Sequence, residues 1–159
     1  GNKLFDSAVL FNQDGELVLH YRRNDPCWHD PDDDDSVYCE GTQIPVVELP
    51  IGRVAFLICG DLWNDDVMKR VKAENLDYLL YIFARDIVPR EEAEAIWKSE
   101  FQLYRERWMK FGSKVLAVNL LSDIRDCGSI GGAWFTDSEG QLIASSPILK
   151  ESILMVNLK

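Results

Sequence analysis

The residues best suited to chemistry are Cys59, Gly60 and Asp61, where the apolar run RVAFLI breaks into CGDLWNDD. A thiol serves as a nucleophile when it can be reached, when its thiolate is favoured, and when a donor awaits the oxyanion it creates. Cys59 ends an apolar strand, the place where open α/β sheets hold their ligands. Gly60 permits a tight turn and a close approach of substrate to the backbone, and its N–H is a candidate oxyanion donor. A helix starting just beyond would aim its N-terminus at this corner, which favours an anion. The same residues also suit a buried structural thiol, because free cysteine is among the most buried side chains. Residue types alone leave both readings open.

The elements around this corner decide whether it forms. Val54 to Ile58 is apolar at every position, the pattern of a strand covered on both faces. IPVVELPIGRVAFLIC reads as two strands around a Pro50-Ile51-Gly52 turn. A helix follows, with Asn64 as N-cap, Asp65 and Asp66 in its first turn, and Val67, Met68 and Val71 on its apolar side. DYLLYIF is the next buried strand, so the crossover is parallel. Glu91 to Phe111 predicts the longest helix, with Trp97, Phe101, Tyr104 and Trp108 on one core-facing side and Gly112 as its C-cap. LFDSAVLF and LVLHYRR predict a hairpin with Asp14-Gly15 at its tip. KVLAVNLL is a further strand, GAWFTDSEGQLIASS a second hairpin, and SILMVNL a closing strand. The order β-β-β-β-α-β-α-β-β-β-β describes a layered α/β protein. Trp63 and Arg85 follow the ends of the two parallel strands and are candidates for substrate contact.

Composition narrows the partners. Seventeen Lys and Arg against 27 Asp and Glu leave a net charge of −10, which repels nucleic acid and anionic membranes. No apolar run is long enough to span a bilayer, and the expected location is cytoplasmic. Cys27, Cys39, Cys59 and Cys127 are sparse and irregularly spaced, as reduced thiols of such a protein are. Cys27, His29 and Cys39 match no zinc-knuckle spacing, so no metal is assigned. Asp32 to Asp35 reads as a solvated stretch of a long loop, because a calcium loop needs alternating ligands and a glycine. No cofactor is implied.

GRVAFLICGDLW resembles the nucleophile segment of the carbon–nitrogen hydrolase family, also called the nitrilase superfamily. The resemblance continues in order along the chain. FDSAVLFNQDGELVLHYRR is similar to the family's Asn-Ser-Ala strand, Asp-Gly turn and Tyr-Arg-Lys segment, and CEGTQIPVVELPIG to its approach to the nucleophile strand. WKSEFQLYRERWMKFGSKVLAVNLL resembles its Trp-to-Arg helix and Val-x-x-Asn strand, and GGAWFTDSEGQLIASS its late hairpin. The resemblance implies an α-β-β-α sandwich of the nitrilase type, with residues 1–159 as one partial domain incomplete at the N-terminus. It implies a small amide, carbamoyl compound or nitrile as substrate, attacked by Cys59 to give a thioester. Family members often dimerise, so a homo-oligomer is expected.

Two departures stand out. The family's lysine, which stabilises the tetrahedral intermediate, falls at Arg23, whose planar fork differs from a compact ammonium. The family's base glutamate lies in a segment N-terminal to the matched residues, and Glu16, Glu40 and Glu48 do not occupy its position. The chain is therefore read as a piece of a longer enzyme, inactive alone. The hairpin serine of the family is Ala133 here. Two other readings follow from the same residues. ICGDLW also resembles the glutaminase domains of NAD synthetases, and Arg23 with the missing base fits a catalytically dead scaffold used for interaction.

Overall fold

The computed structural model describes residues 2–122 and 128–158. Cys127 lies outside the described residues. Two strands, β1 (Ser7–Phe11) and β2 (Leu17–Arg22), form an antiparallel hairpin. The main sheet has six strands in chain order: β3 (Val47–Leu49), β4 (Gly52–Ile58), β5 (Tyr78–Phe83), β6 (Lys114–Asn119), β7 (Ala133–Thr136) and β8 (Leu142–Ser145). Its centre, β4-β5-β6, is parallel, and its margins are antiparallel. The parallel strands are joined through α1 (Asp65–Ala73) and α2 (Ala93–Met109), since parallel neighbours need a long crossover.

Each element forms for a local reason. Val54 to Ile58 are all buried, as an unbroken apolar strand demands. The Asn64 side chain accepts from the Asp66 and Val67 N–H groups and so caps α1. Val67, Met68 and Val71 are its buried side. On β5, Tyr81 and Phe83 face α2: Tyr81 meets Trp108, and Phe83 meets Trp97 and Tyr104, with ring centroids 5.4–6.1 Å apart. Such ring pairs add about 0.5–1.5 kcal/mol each beyond simple burial. Phe101, on the same side of α2, is only half-buried. The hairpin joins this core through Ala8, Leu19 and Tyr21.

The longest helix begins two residues later and ends two residues earlier than the sequence pattern suggests. Arg90–Glu92 is a 3-10 turn that leads into α2. The C-cap is Lys110 rather than Gly112, which holds a left-handed conformation, φ +68°, two residues further on. The closing strand is a correction. Residues 151–158 form no strand, although their burial alternates: Leu154, Val156 and Leu158 are half-buried, while Ile153 and Met155 are exposed. Leu154, Val156 and Leu158 cluster with Val54, Tyr78 and Phe135, which belong to three different strands. The Tyr78 hydroxyl donates to the Leu158 carbonyl at 2.8 Å. The segment thus lies over a sheet face and pairs with no strand edge. Alternation reports which side chains are covered, not whether a free edge is there to pair with.

No described helix is long and apolar enough to cross a membrane.

Candidate functional site

β4 ends at Ile58, and the chain turns at Cys59 into a 3-10 segment, Cys59–Trp63. Cys59 has φ +45°. A left-handed conformation costs a non-glycine residue about 1–2 kcal/mol, and such strain collects at functional corners. The neighbours hold it: the Tyr81 hydroxyl donates to the Cys59 carbonyl at 3.0 Å. Burial pushes the Tyr81 phenol well above its ordinary value, so it stays a neutral donor.

Cys59 is half-buried and lines a cavity of about 430 Å³ together with Asp6 and Arg23. The cavity's apolar wall includes Ile58, Ile82 and Val118, which are cross-strand partners on β4, β5 and β6. Three strands that the sequence places in series thus present one row beside the thiol.

Arg23 comes off the end of β2 and is only 5% exposed. Its Nη2 donates to Asp25 Oδ1 at 3.2 Å and to the Cys27 carbonyl at 2.9 Å, and its Nη1 lies 3.6 Å from Asp6 Oδ2. Its Nε is buried with no partner among the described residues. The guanidinium thus keeps a buried donor without a partner among the described residues, and two carboxylates balance its charge. Its fork packs onto Gly60: a Cβ there would run into Arg23 Nη2 and come within 2.6 Å of Asp25 Oδ1. Gly60 is required by space, and it is not among the residues that line the cavity.

The N-terminus of α1 is less direct than the sequence suggests. The 3-10 turn separates it from Cys59, and Asn64 already takes two of its free N–H groups. Trp63 and Arg85 are not among the lining residues of the cavity. Trp63 stands edge-on to Tyr104 at 5.1 Å, with the Arg107 guanidinium 5.3 Å above its ring. Arg85 is held by a two-pronged pair with Glu100 at 2.6 and 2.8 Å, and that pairing holds its guanidinium above the ordinary arginine value. In the loop, His29 pairs with Glu40 at 3.1 Å and stacks on Tyr38. Cys27, Cys39 and Cys59 are free thiols. The Asp25 carboxylate pushes the Cys27 thiol up, which makes it a poor competitor for electrophiles.

Sequence reasoning missed the part played by Asp6 and Asp61. Asp6 stands where the resembling strand has asparagine, beside an arginine where that family has lysine, and the two side chains meet. Asp61 is fully buried. A charged residue two places after the thiol, inside an apolar surround, was the available signal, because carboxylates are almost never fully buried without partners.

The carbon–nitrogen hydrolase family model matches residues 1–159. Comparison with curated protein sequences returned no significant match. Among solved structures, the chain is similar to a carbon–nitrogen hydrolase from Helicobacter pylori, with TM-score 0.72, 17% identity, and coverage of 90% of this chain and 52% of that one. It is similar to Saccharomyces cerevisiae Nit3, a member of the nitrilase superfamily, with TM-score 0.71, 16% identity, and coverage of 91% and 50%. It is also similar to a glutamine-dependent NAD+ synthetase from Acinetobacter baumannii, with TM-score 0.71, 17% identity, and coverage of 92% and 29%. The chain spans about half, or less, of the length of these proteins.

Proposed function

Because this chain belongs to the carbon–nitrogen hydrolase family, we propose that it carries the nucleophile of a hydrolase for small amides, carbamoyl compounds or nitriles. One observation carries the reading: Cys59, at a strained strand end, shares its cavity with Arg23, which keeps an unpartnered buried N–H. The Cys59 thiolate attacks the carbon of an amide and forms a C–S bond. The oxygen becomes an oxyanion, taken up by the Gly60 N–H and the Arg23 guanidinium. The C–N bond then breaks, and the nitrogen takes a proton and leaves as ammonia or an amine. Water attacks the thioester carbon, the C–S bond breaks, and the thiol is restored. None of the carboxylates of this chain is assigned as general base. The natural context is a cytoplasmic homo-oligomer, without metal or cofactor.

The test is to incubate the whole protein that carries these residues with iodoacetamide and map the labelled cysteines by mass spectrometry, then to assay its ammonia release from amides and nitriles. Cys59 should label faster than Cys27 near neutral pH, and Cys59→Ser should abolish hydrolysis. Labelling of Cys59 slower than Cys27 would overturn the nucleophile. A second reading, a nitrilase-like scaffold without catalysis, draws support from the two carboxylates that balance Arg23. Fast labelling of Cys59 with no turnover of any amide or nitrile would favour it. Ammonia release from glutamine alone would favour the glutaminase reading.

A further inference from the structure

We propose that Asp61 is a positioning residue that sets Arg23 in register with Cys59, a role that rests on the reading of Cys59 as nucleophile. Its carboxylate is 0% exposed and accepts four hydrogen bonds. Oδ1 takes the Asn24 N–H at 3.0 Å and the Asp25 N–H at 2.8 Å. Oδ2 takes the Ile58 N–H at 2.9 Å and the Tyr21 hydroxyl at 2.7 Å. Three of these donors belong to residues on either side of Arg23. The fourth belongs to the residue before Cys59. One side chain therefore ties the end of β2 to the end of β4, and the two candidate groups sit in the middle of what it ties.

The geometry leaves little else to do this. The hairpin and the main sheet share no strand pairing, so their relative placement near the site depends on side chains. Arg23 itself holds Asp25, Asp6 and the Cys27 carbonyl, all on its own side of the joint. The Asn64 amide reaches Asp25 at 3.4 Å, a weaker second tie. An asparagine at 61 fits the space, yet its amide nitrogen would face at least one backbone N–H donor. Either orientation of the amide leaves that N–H buried and unpaired, which loosens the joint.

A residue that merely supports the core would change stability, while a positioning residue also changes how Arg23 acts on the thiol. The measurement is the rate of iodoacetamide alkylation of Cys59 as a function of pH, with Cys39 as internal reference. It is made on the native protein, Asp61→Asn, Arg23→Gln and the double variant, each checked by circular dichroism. Arg23 shares the cavity with the thiol, and a guanidinium there favours the anionic, reactive form, so Arg23→Gln should slow Cys59 alkylation several-fold at neutral pH. Asp61→Asn should produce most of that change by itself, and the double variant should add little to it. Cys39 should react as before, while Cys27, whose carbonyl Arg23 holds, serves as no reference. The proposal is overturned if Asp61→Asn leaves the Cys59 profile unchanged, if Arg23→Gln does, or if the two effects simply multiply. Should Asp61→Asn fail to fold, Tyr21→Phe replaces it. That variant removes one donor of four and should slow Cys59 about twofold to threefold; no change overturns the proposal. Absence of amide turnover bears on the hydrolase reading only, because alkylation needs no turnover.

Discussion

Replacement of Gly60 by alanine adds one methyl group at the point where the guanidinium of Arg23 rests on the backbone. The new Cβ would lie 2.6 Å from Asp25 Oδ1 and 3.2 Å from Arg23 Cζ, and would collide with Arg23 Nη2. Something must shift. The backbone at 60 is pinned from both sides, by the Tyr81 bond to the Cys59 carbonyl and by the four bonds of Asp61. The guanidinium is therefore the part that yields, and its contacts at 3.2 Å to Asp25 and 2.9 Å to the Cys27 carbonyl stretch. Overpacking costs about 1–3 kcal/mol, and a hydrogen bond to a charged group contributes about 1.5–3 kcal/mol. Arg23 is almost wholly buried, so solvent screens little of this. Together the loss is about 2.5–6 kcal/mol, which in a domain of this size lowers the melting temperature by roughly 5–25 °C. Thermal unfolding followed by circular dichroism measures it, and the Cys59 alkylation rate on the same samples should fall because Arg23 has moved. A Gly60→Ala protein that melts within about 2 °C of the native one and alkylates at the native rate would show that the guanidinium does not rest there.

Loss of the Asn64 cap leaves the Asp66 and Val67 N–H groups unpaired, so Asn64→Ala should cost about 1 kcal/mol and a few degrees of melting temperature, with Asn64→Asp retaining most of it. Trp108 is 1% exposed and touches Tyr81, Phe101 and Tyr104. Trp108→Ala should cost about 3–5 kcal/mol, read from denaturant unfolding with the midpoint shifted. The Glu40 carboxylate raises His29 above its ordinary value of 6.5, with Asp33 and the Asp30 carbonyl acting in the same sense. The folded state thus binds this proton more tightly than the unfolded chain does. Its contribution to stability is complete below the unfolded value and is lost as pH rises through the raised folded value. The melting temperature of the native protein should fall over that window, and the fall should be smaller in Glu40→Gln.

Much of the architecture could be read before the coordinates. The unbroken apolar run of β4, the Asn64 cap and the aromatic spacing of α2 are local facts, governed by backbone periodicity and by the free N–H groups at a helix start. They appear where the pattern puts them. The terminal segment failed because a short apolar run looks the same whether the backbone pairs with an edge or crosses a face. Trp63 and Arg85 follow strand ends in sequence, but their side chains have nearer partners in α2, which sequence spacing does not reveal.

By itself the sequence determined the class of the fold, the strand that ends in Cys59, and the ordered resemblance to carbon–nitrogen hydrolases. These depend on side-chain type at short range. Only the tertiary structure decided that Arg23, 36 positions earlier in the chain, shares the thiol's cavity and is buried there between Asp6 and Asp25. It also decided that Asp61 is the joint between the two strand ends. Both facts come from long-range contacts between a hairpin and a separate sheet, and nothing in local periodicity determines how two such pieces are set against each other.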